Sequence, residues 1–193
     1  LNGNDSSTQK QHISSMFKGF KNSVQSPSIL RQIIEKIDTL SFASSDDIHT
    51  MAKMYEDMLI EMKDASGQNG EFYTARPLIR FIVNVTKPSL KRKETVLDPA
   101  SGTGGFLSES LDYMGKQAKT GAEKKQLYEK TLFGFEKKPL PYLLGMMNLM
   151  LHQIDDPNIT KRNTLATPFS DITEKEKFDV IITNPPFGGQ EEN

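Results

Sequence analysis

The chain contains no cysteine. That one absence removes disulfides, thiolate metal ligands and cysteine nucleophiles together. Histidine is scarce: His12, His49 and His152 lie far apart without metal-ligand spacing, so no histidine zinc site is expected. No apolar run approaches the length of a membrane span. The opening "LNGNDSSTQK" has no basic stretch leading into an apolar one, so no signal peptide is expected, and the expected compartment is the cytoplasm. Charge of one sign is not in excess either, with 24 Lys and Arg against 25 Asp and Glu, a formal net charge of -1. A strongly basic chain would point to nucleic acid. Here any grip on DNA or RNA has to come from a local patch or a partner chain.

What is present reads as a soluble globular protein: 193 residues, 36% hydrophobic and 25% charged. That is enough for one domain with a real core and a small second one. Residues 1–26 are polar and read as a tail or linker. Residues 27–70 read as a helical segment. "SPSILRQIIEKIDTL" places Ile29, Leu30, Ile33, Ile34, Ile37 and Leu40 at helical spacing, with Pro27 near the first turn. "SSDDIHTMAKMYEDMLIEMKD" does the same with Ile48, Met51, Tyr55, Met58, Leu59 and Met62 after a Ser/Asp cap, a Met-rich stripe that reads as helix packing. "SGQNG" then breaks the helix.

Residues 71–193 change pattern. "RPLIRFIVNVT" reads as a helix, "ETVLDPASGTGGF" as a strand and glycine-rich turn into the helix "FLSESLDYMGKQ", and "KTGAEKKQLYEK" as a charged helical link. "TLFGFE" is a second strand ending in an acid, "PLPYLLGMMNLMLHQI" an apolar helix, "ITKRNTL" a weak third strand and "FDVIITN" the fourth and clearest. Strand alternating with helix argues for an α/β, mostly parallel, doubly wound sheet. Ligands in such sheets sit beyond the carboxyl ends of the strands, where the conspicuous residues fall.

Three motifs carry the chemistry. In "DPASGTGGF", from Asp98 to Phe106, Gly102, Gly104 and Gly105 let the backbone bend and approach a ligand closely. The Lys-Ser/Thr of a nucleoside-triphosphate loop and the spacing of a dinucleotide loop are both missing. Asp98 suits a ligand with a positive amino group better than one with phosphates. Glu136, ending the second strand, suits ribose hydroxyls, which donate to its oxygens; the plain alternative is an exposed carboxylate in the charge cluster "EKK". Together they imply a nucleoside-like cofactor. The third motif, "TNPPF", stops a strand with two prolines that have no N–H to donate. A heteroaromatic amine beyond that strand is a poor nucleophile, because its lone pair is delocalised. The Asn184 side-chain oxygen and the Pro185 carbonyl are acceptors for its two N–H bonds. Pro185 and Pro186 preset the carbonyl direction, and Phe187 can stack on the base. A loop with a buried Phe is the bland reading of the same residues. A mechanism at a cytosine ring carbon requires an attacking thiolate and is excluded, since the chain has no cysteine.

These residues resemble the S-adenosylmethionine-dependent amino-methyltransferases of DNA. "DPASGTGGF" is similar to their motif I, "GFE" to motif II and "NPPF" to motif IV. "GEFYTARPL" is similar to motif X placed before motif I, the order of the gamma group of N6-adenine methyltransferases. Residues 55–187 resemble the modification subunit of type I restriction–modification systems, with "YEDML", "MNLMLH" and "NTL" also in place.

The resemblance implies a Rossmann-like class I methyltransferase sheet, S-adenosylmethionine as cofactor, and methyl transfer to the N6 amino group of adenine in DNA. It implies that Glu71, Phe72, Tyr73, Thr74, Asp98, Pro99, Ser101, Gly102, Thr103, Gly104, Gly105, Phe106, Glu136 and Asn163 hold the cofactor. Thr74 would help bind its carboxylate, Asp98 its amino group, Glu136 its ribose and Asn163 its adenine ring. Asn184, Pro185, Pro186 and Phe187 would hold a target adenine flipped from the duplex. The implied partners are double-stranded DNA, a DNA specificity subunit, a restriction (translocase/nuclease) subunit and a second modification subunit, with no membrane. Ala75 stands where many family members have Pro. The family's sheet continues past motif IV, so the chain is expected to be truncated after its fourth strand. Cytosine N4, an RNA base or a protein glutamine remain alternative acceptors, and a non-catalytic fragment is the alternative from another class.

Overall fold

The structure, a computed structural model, describes residues 14, 17, 21–39, 51–55, 57–59, 61 and 74–186. The chain divides into two compact units, Leu1–Ile48 and His49–Asn193. The expected Ser/Asp cap, Leu40, Ile48, Met62 and the "SGQNG" breaker lie outside the described residues.

In the first unit, α1 runs Pro27–Asp38. The Ser26 hydroxyl caps it by accepting from the Ile29 N–H at 3.4 Å, and Pro27 sits in the first turn, where its missing N–H costs nothing. Its isoleucines fall at helical spacing as expected, yet no α1 residue is buried: Ile29, Ile33, Ile34 and Ile37 are all exposed.

The second unit holds the sheet. Residues 51–55, 57–59 and 61 are helical. The face they bury is Ala52, Tyr55 and Leu59, while Met54 and Met58 are exposed. The expected Met-rich packing stripe is therefore turned: Tyr55 and Leu59 pack, and Met58 does not. Helix α2 (Arg76–Thr86) buries Ile79 and Val83 and ends at Lys87 in the left-handed conformation. It is followed by β1 (Val96–Asp98), α3 (Gly105–Gly115), α4 (Gly121–Lys130), β2 (Leu132–Glu136), α5 (Pro139–Leu151), β3 (Ile159–Lys161), three short 3-10 turns, and β4 (Val180–Ile181). The start of α4 is set by a capping box, Thr120 with Glu123.

The four strands form one parallel sheet in the order β3-β2-β1-β4, the Rossmann-like α/β arrangement expected. The order reverses direction at β1, so a crevice opens beyond the carboxyl ends of β1 and β4. Along β2, Leu132 and Gly134 are buried while Phe133 and Phe135 are half-buried. Gly134 lies under Leu107 of α3 and beside Ser101, where an added Cβ would come within 2.9 Å of Leu107. Phe133 and Phe135 meet Phe178, at centroid distances of 5.1 and 6.2 Å. The core sits between α3, α5 and the sheet: Leu107, Met114, Met146 and Leu149 are at most 1% exposed.

The strand read as clearest is the shortest. β4 has two residues, and Ile181 is 61% exposed. Among the described residues β4 pairs only with β1, so one of its sides carries no partner strand. Its apolar run marked a strand without saying how much of it a neighbour would pair. No helix among the described residues is long and apolar enough to cross a membrane.

Candidate active site

The crevice at the reversal point is where most of the sequence-predicted residues that the structure describes converge. Thr74, Asp98 and Asn184 line one cleft. The loop residues Ser101, Gly102, Thr103, Gly105 and Phe106 line it as well. The β1–α3 turn needs glycine twice, since Gly102 and Gly104 sit at φ of 51° and 76°.

The loop is fastened from three sides. From β2, Phe135 O accepts from the Ser101 N–H at 2.9 Å, and Glu136 Oε2 accepts from the Gly102 N–H at 2.9 Å. The other Glu136 oxygen accepts from the Lys138 N–H at 2.7 Å, at the start of α5. Glu136 is thus half-buried and clasped rather than loose in a charge cluster, and a carboxylate retains lone pairs beyond two such bonds. From the 3-10 turn after β3, Thr164 Oγ1 donates to Pro99 O at 2.6 Å. From α5, Asn148 Nδ2 donates to Thr103 O at 2.8 Å, and Gly145 lies so close that a Cβ there would come within 2.9 Å of Gly102 O.

Asp98 is 1% exposed. Burial pushes its carboxyl up from an ordinary 3.8 to about 7; the Thr183 hydroxyl and the Ala100 N–H pull the other way, and the Glu136 charge adds to the rise. A buried anion of this kind favours a ligand that brings its own positive charge.

Asn184 follows β4 by three residues. Its Nδ2 donates to Thr74 Oγ1 at 3.2 Å, across 110 residues of sequence. That bond turns the side-chain oxygen away from Thr74 and leaves the Thr74 hydroxyl hydrogen for a further acceptor. Pro185 and Pro186 are exposed beside it. Asn163 stands apart from this cleft: its Oδ1 caps the turn at Thr164–Ala166 by accepting from the Leu165 N–H at 3.1 Å. Glu71, Phe72, Tyr73 and Phe187 lie outside the described residues.

Several lining or supporting residues were not singled out as site residues. Leu59 and Arg76 line the cleft, as does Asn148, and Gly145 backs the loop. A lone Asn and a lone Gly inside the apolar run "LLGMMNLM" were the available signals. Tyr55 fastens the 51–61 helical stretch to the same helix, its hydroxyl donating to Leu144 O at 2.6 Å.

The N-6 DNA methylase family model matches residues 46–193. The chain belongs to the N-6 DNA methylase family. Within that family it is 40% identical over 185 residues to the type I restriction enzyme EcoEI methylase subunit of Escherichia coli, covering 95% of this chain and 36% of that one. A crystal structure of a modification subunit of a candidate type I restriction enzyme from Vibrio vulnificus YJ016 superposes with a TM-score of 0.81 at 47% identity, covering 95% of this chain and 38% of that one. A chain solved in work on complex assembly and conformational transition of the type I R-M system gives 0.84 at 39% identity over 100% of this chain and 38% of its own. This N-6 DNA methylase chain thus spans a little over a third of the relatives it matches. A family of this kind works with a methyl-donor cofactor.

Proposed function

We propose that this chain carries the methyl-donor and acceptor-amine sites of an N6-adenine DNA methyltransferase, the modification subunit of a type I restriction–modification complex, with S-adenosylmethionine as donor. The observation that carries the reading is that Asn184, Thr74 and the glycine loop around Asp98 line one cleft beyond the carboxyl ends of β1 and β4. The residues fit the cofactor: two left-handed glycines form a cradle, a buried acid awaits a cation, and Glu136 is fastened to the loop at Gly102. When bound, S-adenosylmethionine supplies an electrophilic methyl group on a sulfonium sulfur.

The chain's own residues then have separable tasks. Asp98, pushed to about 7 when alone, balances the cofactor's ammonium group. Ser101 to Phe106, with Pro99, shape the cradle for the methionine part. Glu136 takes the ribose hydroxyls with its remaining lone pairs. Asn163, outside the cleft itself, is assigned to the adenine ring of the cofactor, Thr74 to its carboxylate, and Glu71, Phe72 and Tyr73 are further cofactor-binding residues. Asn184 Oδ1 and the Pro185 carbonyl accept the two N–H bonds of the target amine, drawing it out of conjugation, while Pro186 and Phe187 complete the base platform. The target base reaches them only if flipped from the duplex. We assign residues 71–193 to the catalytic part, 27–70 to the helical approach and 1–26 to a linker, in a cytoplasmic protein. Duplex DNA, a specificity subunit, a restriction subunit and a second modification subunit are the proposed partners; a net charge of -1 is consistent with sequence reading by a separate chain.

The test is isotope-labelled methyl transfer from S-adenosylmethionine by the intact complex to duplex DNA, RNA and protein, followed by product analysis. N6-methyladenine in DNA is the expected product. N4-methylcytosine, a methylated RNA base or N-methylglutamine overturns the acceptor assignment, and no transfer by a complex that binds cofactor and DNA overturns catalysis.

A further inference from the structure

We infer that Leu59 is a further donor-binding residue, packing on the methylene chain of the methyl donor's amino-acid part, and that Tyr55 is the positioning residue that aims it there. The inference rests on the cofactor reading above. In that reading the nucleoside half goes to Glu136 and Asn163, and neither lines the cleft. The cleft therefore takes the amino-acid half, whose ammonium goes to Asp98 and whose methylenes need apolar cover. Among the described residues, the large apolar side chains lining the cleft are Leu59, Ile79 and Phe106. Ile79 is committed to the loop, since a Cβ on Gly105 would come within 2.8 Å of its Cδ1. Phe106 belongs to the first turn of α3. Leu59 enters from the 51–61 helical stretch, ahead of every strand, and borders the same space as Thr74 and Asp98.

The apolar pattern of that stretch does not select Leu59, because Met54 and Met58 are apolar too and stay exposed. Tyr55 makes the selection. It is buried, and its hydroxyl donates to Leu144 O at 2.6 Å, in the middle of α5. Residues four apart on a helix share a face, so the bond that turns Tyr55 onto α5 turns Leu59 the same way. Leu144 immediately precedes Gly145, which backs the glycine loop at Gly102 O. The stretch is thus pinned to the helix that shapes the cradle, and Leu59 stands as the cleft's apolar wall.

The deciding measurement compares two ligands by calorimetry on the full chain. One is S-adenosylmethionine; the other is methylthioadenosine, which keeps the nucleoside, the sulfur and the methyl group but lacks the amino-acid chain. Leu59→Ala should weaken S-adenosylmethionine by about tenfold, the worth of a leucine face lost from one side of the ligand, and methylthioadenosine by less than about twofold. Leu59→Met, which keeps volume and apolarity, should bind S-adenosylmethionine within about twofold of the wild type. Tyr55→Phe keeps the ring but loses the bond to Leu144, and should show the same ligand-selective loss at about threefold. Leu59→Val replaces Leu59→Ala if that variant fails to unfold cooperatively, with about threefold expected on S-adenosylmethionine alone. Equal weakening of both ligands by the Leu59 truncation would overturn the inference, because Leu59 would then act only by supporting the fold. Unchanged affinity for S-adenosylmethionine would overturn it too. A Tyr55→Phe loss shared by both ligands would remove Tyr55 from the positioning role. Binding of neither ligand by the folded wild type would instead bring down the cofactor reading, and this inference with it.

Discussion

Asp98 is the residue on which the site's pH behaviour turns. Its carboxyl titrates near 7 in the fold against 3.8 ordinarily, chiefly because burial disfavours the charge. A carboxyl with a raised folded value contributes stability that is complete below the unfolded value and is lost as pH rises through the folded one. The ligand-free chain should therefore lose stability between about pH 4 and pH 7, on the order of a few kcal/mol from this group. Asp98→Asn should flatten that slope and gain on the wild type as pH rises, checked by denaturant unfolding at several pH values. Binding runs the other way. A cationic ligand needs the ionised acid, so wild-type affinity for S-adenosylmethionine should fall towards about tenfold per unit well below pH 7. Asp98→Asn should bind weakly and without that dependence. A wild-type affinity flat from pH 5 to 8 would remove Asp98 from the ammonium site.

Asn184 makes the complementary prediction. Asn184→Ala should lower methyl transfer by about a hundredfold or more, the loss typical for a positioned acceptor or donor at the reacting group. Affinity for the cofactor should fall far less, since the Asn184 hydrogen bond towards the donor side goes to Thr74. Single-turnover transfer alongside calorimetry separates the two. These residues were legible because their chemistry is local: an acid, glycines and an Asn-Pro-Pro turn declare themselves in a few consecutive letters. Arg76 and Asn148 were not, because an arginine in a helix start and an asparagine in an apolar helix acquire meaning only from what they face.

At the level of elements, α5 is the rear wall of the cradle. Gly145→Ala would press a Cβ to within 2.9 Å of Gly102 O, a backbone atom that cannot swing aside. It should cost about 1–3 kcal/mol in unfolding experiments, and displace the loop enough to weaken the cofactor by tenfold or more. Asn148→Leu separates stability from position. The Asn148 Oδ1 is buried with no hydrogen-bond partner among the described residues, so an apolar replacement removes that cost even as it gives up the bond to Thr103. Thermal stability should stay near wild type while hydrogen exchange quickens at Gly104 and Gly105 alone. Exchange unchanged there would mean the loop holds itself. The helices themselves were readable from periodicity and caps, as Thr120 with Glu123 shows for α4. Which face each helix buries was less so: the 51–61 stretch turns Tyr55 and Leu59 inward and leaves Met58 out. Several of its positions are apolar, and only the partner surface chooses among them.

For the whole molecule, the sheet's outer edge is the exposed feature. Ile181 is 61% accessible on a strand that, among the described residues, is paired on one side. Ile181→Lys should change the unfolding free energy by less than about 0.5 kcal/mol while reducing self-association in sedimentation, since a charge on an edge strand discourages strand-to-strand pairing. A large loss of stability would show that Ile181 packs against something in solution.

The order of motifs, the alternation of strand and helix and the absence of cysteine together determined an α/β chain with a glycine loop after its first strand and an Asn-Pro-Pro turn after its fourth, because each rests on covalent chemistry or short-range periodicity. Tertiary structure alone decided that Asn184 reaches Thr74 across 110 residues, that Glu136 clasps the Gly102 N–H, and that α5 presses Gly145 and Asn148 against the loop. Those contacts join segments far apart in the chain. No local pattern encodes them, since their geometry follows from how the whole sheet and its helices close around one core.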